Sequence, residues 1–234
     1  MAIKKVLIFG GLGAIGREIS DIFKSNNWVS IVVSRDVASD KGIQWNPCNP
    51  IVSIETLGRL KSEGPFDAVV WSQGMNLNDS IYEFKMDSHM EMYQVNVVYI
   101  LNSLKQLLTN DLLAQASKLC IVSSIWQNIS RQNKLSYSVT KSALQGLVLS
   151  ACNDLGRDGH LINAVLPGAL DTPMTRANLE EGQIKAIESS TQFNNLAKLT
   201  DVANTVFFLC SDSNTGVTGN FVTVDQGFSH VRNI

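Results

Sequence analysis

The chain is poor in charge: Asp, Glu, Lys and Arg make up 17% of its 234 residues, against roughly 25% in an average globular protein. Nineteen basic and 21 acidic side chains leave a formal charge of −2, and no Lys/Arg run exceeds two residues. Nothing here resembles the basic patch that binds a phosphate backbone, which excludes nucleic acid as a partner. Three histidines stand far apart, and the four cysteines (Cys48, Cys120, Cys152, Cys210) form no Cys-x-x-Cys. A zinc centre and a disulfide framework therefore have no support. Long apolar runs are also missing. Val6 to Phe9 is shorter than a signal-peptide core, and nothing approaches the roughly 20 residues that span a bilayer. These absences predict no metal, no membrane and a reduced, cytoplasmic chain.

What is present is apolar material, 44% of the residues, enough at this length for one large core. Short β-branched runs alternate with segments of helical period throughout. Strands are predicted at Ile3 to Phe9, Val29 to Ser34, Ile43 to Asn46, Ala68 to Ser72, Lys118 to Ser123, Leu161 to Leu166 and Phe221 to Val224. Helices are predicted between them. They run from Gly13 to Lys24, from the Asn49-Pro50 cap to Lys61, and from the Ser88–Glu91 capping box to about Leu108. Two more run from Ser136 to Leu155, closed by Gly156, and from Thr200-Asp201 to Cys210. Strands separated by helices pair in parallel through right-handed crossovers. The expected fold is α/β, a single Rossmann-like domain over residues 1–234. Its doubly wound parallel sheet has about seven strands, with helices on both faces. Ligands on such a sheet lie beyond the carboxyl ends of the strands.

Gly10, Gly13 and Gly16 join the first strand to the first helix in a Gly-x-x-Gly-x-x-Gly turn. Glycine lets backbone approach a pyrophosphate while the helix start offers free N–H groups. A tight turn packing helix on sheet is the plainer reading of the same residues. The second strand closes with Ser34-Arg35-Asp36. A hydroxyl beside a guanidinium suits a 2′-phosphate, which favours NADP; an acid accepting from a free 2′-hydroxyl would instead make Asp36 the reader of NAD.

Tyr137 and Lys141 stand four residues apart on one helical face. Four tyrosines and twelve lysines give about 0.2 such pairs by chance, so the pair matters for its company. Asn96 lies in the preceding helix, Ser123-Ser124 ends the fifth strand with the spacing favouring Ser124, and Pro167-Gly168 is followed by Thr172.

In these residues, in their order and over essentially its whole length, the chain resembles the short-chain dehydrogenase/reductase family. Asn163 to Gly168, Thr218-Gly219 and Val224 to Gly227 add to the likeness. The resemblance implies an oxidoreductase moving hydride between a nicotinamide and a small carbonyl/alcohol substrate. Tyr137 is then the acid/base, assisted by Lys141; Ser124 polarises the carbonyl, and Asn96 anchors a proton-relaying water. The implied cofactor site comprises Gly10, Gly13, Ile15, Gly16, Ser34, Arg35, Gln73, Gly74, Tyr137, Lys141, Pro167, Gly168, Leu170 and Thr172, the last two gripping the carboxamide. A homodimer or homotetramer, built through the helices of Asn96 and Tyr137, is implied as well.

The family's Asn-Asn-Ala-Gly is Trp71-Ser72-Gln73-Gly74 here, Phe9 stands where a Thr is usual, Ala14 occupies a frequent Gly position, and the third strand is trimmed. That trimming and Asn27-Trp28 also resemble dihydropteridine reductase. The departures motivate a second class of function, a nucleotide-sensing protein of the same fold with little turnover. Substrate choice is expected from Met75 to Asn78, from Trp126 to Ile129 with Arg131, and from a lid-like polar stretch, Asp171 to Leu199, containing Met174, Arg176 and Phe193.

Overall fold

The computed structural model describes residues 3–35, 42–172, 175–176 and 180–231; Asp36 and Met174 lie outside them. Seven strands form one parallel sheet in the order β3-β2-β1-β4-β5-β6-β7. They are β1 (Lys5–Phe9), β2 (Val29–Ser34), β3 (Gly42–Gln44), β4 (Phe66–Trp71), β5 (Leu113–Val122), β6 (Leu161–Pro167) and β7 (Phe221–Val224). The order reverses between β1 and β4, so the crevice of a doubly wound sheet opens above those two strands.

Alternation of side chains across the sheet makes two cores. Leu7 and Phe9 of β1, Val69 and Trp71 of β4, and Leu119 and Ile121 of β5 share one. Val6, Ile8, Ala68, Val70, Cys120 and Val122 share the other. The first is covered by α2 (Ile54–Glu63), α4 (Tyr99–Thr109) and α5 (Leu135–Gly156), the second by α1 (Ala14–Ser25) and α7 (Leu199–Cys210). Strands buried on both faces need apolar residues at every position, which is why they read as continuous runs. No helix among the described residues is long and apolar enough to cross a membrane.

Several boundaries differ from the sequence expectation. The helix expected from Asn49 starts at Ile54, capped by Ser53, whose hydroxyl accepts the Thr56 N–H at 3.1 Å. Asn49 instead closes a turn by accepting the Ile51 N–H at 3.0 Å, a local bond that competes with helix initiation. Ser88 and Glu91 do not form the expected cap: α3 (Met86–Tyr93) begins earlier, at Lys85. That helix does not run unbroken to Leu108, because a widened π turn, Gln94–Val98, separates α3 from α4. Strand β6 includes Pro167, and Gly156 is the last helical residue rather than the stop. The stretch after Asp171 contains α6 (Glu181–Ser189), whose single buried residue, Ile184, gives almost no apolar period to read.

Phe9 and Trp71, two of the departures from the family pattern, are register partners on adjacent strands. Their rings stack at 5.7 Å and 3°, with Tyr99 edge-on to Phe9 at 5.8 Å. The Trp71 indole N–H donates to Ser103 Oγ at 2.8 Å. These residues explain each other: a large ring at one position fills the space beside a large ring at the other. Ser103→Ala would strand that indole N–H in the core, and is expected to lower stability by about 1–2 kcal/mol in urea unfolding.

Candidate active site

The turn after β1 is shaped by close backbone approach. Gly10 has φ +72°, and a Cβ there would lie 2.6 Å from the Gln73 nitrogen; a Cβ on Gly16 would lie 2.4 Å from the Gly10 oxygen. Both positions exclude every other residue. Gly13 caps α1, whose first turn carries no acidic side chain, so its N–H groups face no local anion. Ile15 sits half-buried on the α1 face that packs on the sheet. Ser72 Oγ donates to the Phe9 oxygen at 2.7 Å, holding the ends of β1 and β4 together. Above them a groove of about 240 Å³ is lined by Gly10, Gly13, Ser34, Arg35, Gln73 and Gly74, among others. The Gln73 amide is buried with neither Nε2 nor Oε1 partnered among the described residues.

At one end of this groove, Ser34 closes β2 and Arg35 is exposed. The Arg35 guanidinium is close enough to Cys48 and Tyr99 to hold their ionisations down against the upward push of burial. At the other end lies Gly74, where a Cβ would meet Asn96 Oδ1 at 3.4 Å and Lys141 Nζ at 3.8 Å.

The π turn carries Asn96, which is 1% exposed. Its Oδ1 accepts the Met75 N–H at 2.8 Å, and Nδ2 donates to the Met75 oxygen and to Thr140 Oγ1, both at 3.0 Å. Both amide hydrogens are thus committed, so the side chain ties the loop after β4 to α5. Thr140 lies between Tyr137 and Lys141 and donates back to the Tyr137 oxygen at 2.9 Å.

Ser124 lies two residues beyond the end of β5. Its hydroxyl accepts the Trp126 N–H at 3.3 Å and is close enough to the Tyr137 phenol to favour its ionisation, whereas the Ser123 hydroxyl turns to Gln127 Oε1 at 2.8 Å. Burial pushes Tyr137 up to about 12, with the Ser124 contact opposing it. Lys141 is 4% exposed, donates to the Val122 oxygen at 3.2 Å, and stands 5.7 Å from the centre of the Tyr137 ring. Burial lowers it to about 8. A neutral phenol therefore faces a lysine that keeps its charge at pH 7.

The remaining predicted residues lie at and just after the carboxyl end of β6. Gly168 packs so tightly that a Cβ would lie 2.6 Å from Asp225 Cβ, which is a structural reason for glycine there. Pro167 ends β6, and Leu170 bridges to Ala197. The Thr172 hydroxyl accepts the Thr175 N–H at 3.1 Å. That is a capping contact, although the hydroxyl keeps further hydrogen-bonding capacity.

A family model described as enoyl-(acyl carrier protein) reductase matches residues 55–229. The chain belongs to the short-chain dehydrogenase/reductase family. It is an oxidoreductase by that membership. A 3-oxoacyl-acyl-carrier-protein reductase of Escherichia coli K12 is 23% identical over 217 residues, covering 92% of this chain and 88% of the relative. Short-chain dehydrogenase reductase 5 of Arabidopsis thaliana is 27% identical, with 98% and 95% covered. A solved gluconate 5-dehydrogenase from Burkholderia cenocepacia J2315, in complex with NADP and tartrate, superimposes with a TM-score of 0.90 at 17% identity, covering 99% of this chain and 97% of the other.

One residue of this short-chain dehydrogenase went unread in the sequence. Lys134, 4% exposed, places Nζ 5.5 Å from the centre of the Tyr137 ring and donates to Asn76 Oδ1 at 2.7 Å and Asn78 Oδ1 at 2.6 Å. Its spacing, three residues before Tyr137, was the available signal.

Burying the Lys141 cation opposes folding. Below pH 8 both folded and unfolded chains hold its proton, so the penalty is fully present; between pH 8 and its ordinary 10.5 the penalty fades. Lys141→Met is therefore expected to stabilise the cofactor-free protein by about 2 kcal/mol at pH 7. In denaturant melts that gain should shrink steadily as the pH is raised above 8.

Proposed function

We propose that this enzyme interconverts a small carbonyl/alcohol pair with NADP(H) as its preferred cofactor, within a single domain holding both sites. The observation that carries the reading is the Tyr137 phenol, with the Ser124 hydroxyl close by and buried Lys141 flanking it, beside the glycine-rich groove. The residues of that groove fit a dinucleotide. Gly10 and Gly16 leave backbone free for close approach, the start of α1 lacks a competing acid, and the buried Gln73 amide has hydrogen-bonding capacity to offer. The NADP in the gluconate 5-dehydrogenase complex supports the same class of ligand.

Gly10, Gly13, Ile15 and Gly16 would hold the pyrophosphate, and Ser34 with Arg35 the 2′-phosphate. Gln73 and Gly74 would face the sugars. Pro167, Gly168, Leu170 and Thr172 would border the carboxamide. When bound, the nicotinamide supplies or accepts hydride. Ser124 Oγ donates to the substrate oxygen and holds it beside Tyr137, whose Oη gives that oxygen its proton in reduction and takes it back in oxidation. The Lys141 ammonium favours the phenolate left behind. Asn96 acts as a positioning residue, through Met75 and Thr140. Leu101 on α4 and Val139 and Leu149 on α5 are about half exposed, which supports assembly of a homodimer or homotetramer through these helices.

Fluorescence titration is expected to show NADPH binding at least tenfold tighter than NADH, about 1.4 kcal/mol. Equal affinities would mean that Ser34 and Arg35 do not read the phosphate. Tyr137→Phe should lower kcat/KM by at least a hundredfold and leave NADPH binding within about threefold. Undiminished turnover in that variant would sink the assignment of Tyr137, and a wild-type protein that binds NADPH without turnover would fit a nucleotide sensor instead.

A further inference from the structure

The sequence pattern that marks the site accounts for one lysine beside Tyr137, and the structure puts two there. Lys141 follows Tyr137 by one helical turn; Lys134 precedes it by nearly the same distance, at the start of α5. Both ammonium groups lie within 6 Å of the ring centre, at 5.7 and 5.5 Å. They differ in their surroundings. Lys141 is bonded inward to the sheet at Val122, whereas Lys134 is bonded to Asn76 and Asn78. Those asparagines are exposed, on the loop that follows β4.

We propose that Lys134 is an anion-recognition residue for the substrate, and that the carbonyl/alcohol pair carries a carboxylate close to its reacting carbon. This rests on the reading of Tyr137 as the acid/base. Asn76 and Asn78 offer neutral amide oxygens, which orient an ammonium without cancelling its charge. An ammonium has three N–H groups, and these two acceptors use two of them. No carboxylate among the described residues forms an ion pair with Lys134.

The nearby charges favour the same conclusion. Arg131, stacked on Trp126 at 5.9 Å, adds a second positive charge close to Lys134. Asp79 is the acid in reach, but its carboxylate accepts from the Ser136 N–H at 2.9 Å and from the Ser136 hydroxyl, closing the start of α5. Lys134 itself stands at the positive end of that 22-residue helix, where a cation is unfavourable and an anion welcome. Burial and Arg131 together lower it to about 8, with Asp79 opposing. A bound carboxylate would supply the missing countercharge. The short distance from Lys134 to the Tyr137 ring favours an acid whose carboxylate and carbonyl are separated by few bonds, such as a 2-oxo or 3-oxo acid.

The test uses oxo acids paired with their own neutral methyl esters, assayed with NADPH on the full chain. The same pairs are titrated calorimetrically into the NADPH-bound enzyme, so that binding decides the matter even for a pair that is not turned over. The acid-to-ester ratio of kcat/KM, or of affinity, should exceed ten in the wild type at pH 7. It should fall at least tenfold in Lys134→Gln and be largely restored in Lys134→Arg. In the wild type it should also decline as pH rises through 8, whereas in Lys134→Arg it should stay flat. Taking the ratio removes effects that Lys141 and Tyr137 exert on acid and ester alike, and the wild-type pH series needs no variant to fold. A ratio near one, or one that Lys134→Gln leaves unmoved, overturns the proposal. Lys134 would then simply fasten the Asn76–Asn78 loop to α5. Turnover of the esters would in that case leave the reductase reading intact, while failure to bind NADPH would count against that reading separately.

Discussion

The Asn96 amide is the tie on which the geometry of the site depends. It sits where the third and fourth helices are separated by a widened turn, and it spans from the loop after β4 to α5. Gly74, on that loop, and Lys141, on α5, come within 4 Å of one another's space as a result. A buried amide with all its hydrogens used is rigid, because any displacement leaves a donor or acceptor unpaired in a low-dielectric interior. The phenol of Tyr137, one turn before Lys141, inherits that rigidity.

Around this tie the site concentrates features that work against stability. Two lysines are 96% buried, at 4% exposure each, and each is pulled below its usual range chiefly by desolvation. An amide at Gln73 and another at Gln127 keep buried atoms that have no hydrogen-bond partner among the described residues. Pre-positioned charge is the main resource of an enzyme that must stabilise a changing oxygen. The two large cores on either side of the sheet supply the stability that makes this arrangement tolerable.

The departures from the family pattern separate into two kinds once their positions are known. Phe9 and Trp71 point into one core, stack on each other, and recruit Ser103 as a hydrogen-bond acceptor. Their exchange is a repacking confined to the interior, and it leaves the Ser124, Tyr137 and Lys141 arrangement untouched. Gln73, by contrast, lines the groove. A linear reading treats Trp71 and Gln73 as one altered tetrapeptide, but Trp71 is the last residue of β4 and Gln73 lies beyond it, where the regular alternation of a strand no longer sets which way a side chain faces.

The sequence alone determined the α/β class and the parallel sheet, because each strand buried on both faces must be apolar throughout and each helix must show its period. The family was legible only as a resemblance, in motifs that fall in the family's order. It also brought forward Tyr137, Lys141, Ser124 and Asn96, whose spacing follows from a helical turn and from strand ends. Helix boundaries near Asn49 and Ser88 were misread, since a polar side chain that can cap a helix can equally close a turn, and only the surrounding packing selects between them. The helix after Asp171 went unseen because it has a single buried residue. That the Ser123 hydroxyl turns away to Gln127, that Asn96 spends both its amide hydrogens on protein, and that Lys134 stands beside Tyr137, bonded to two asparagines 58 and 56 residues away in sequence, were decided only by tertiary structure. Those contacts join segments far apart along the chain, and local spacing carries no record of them.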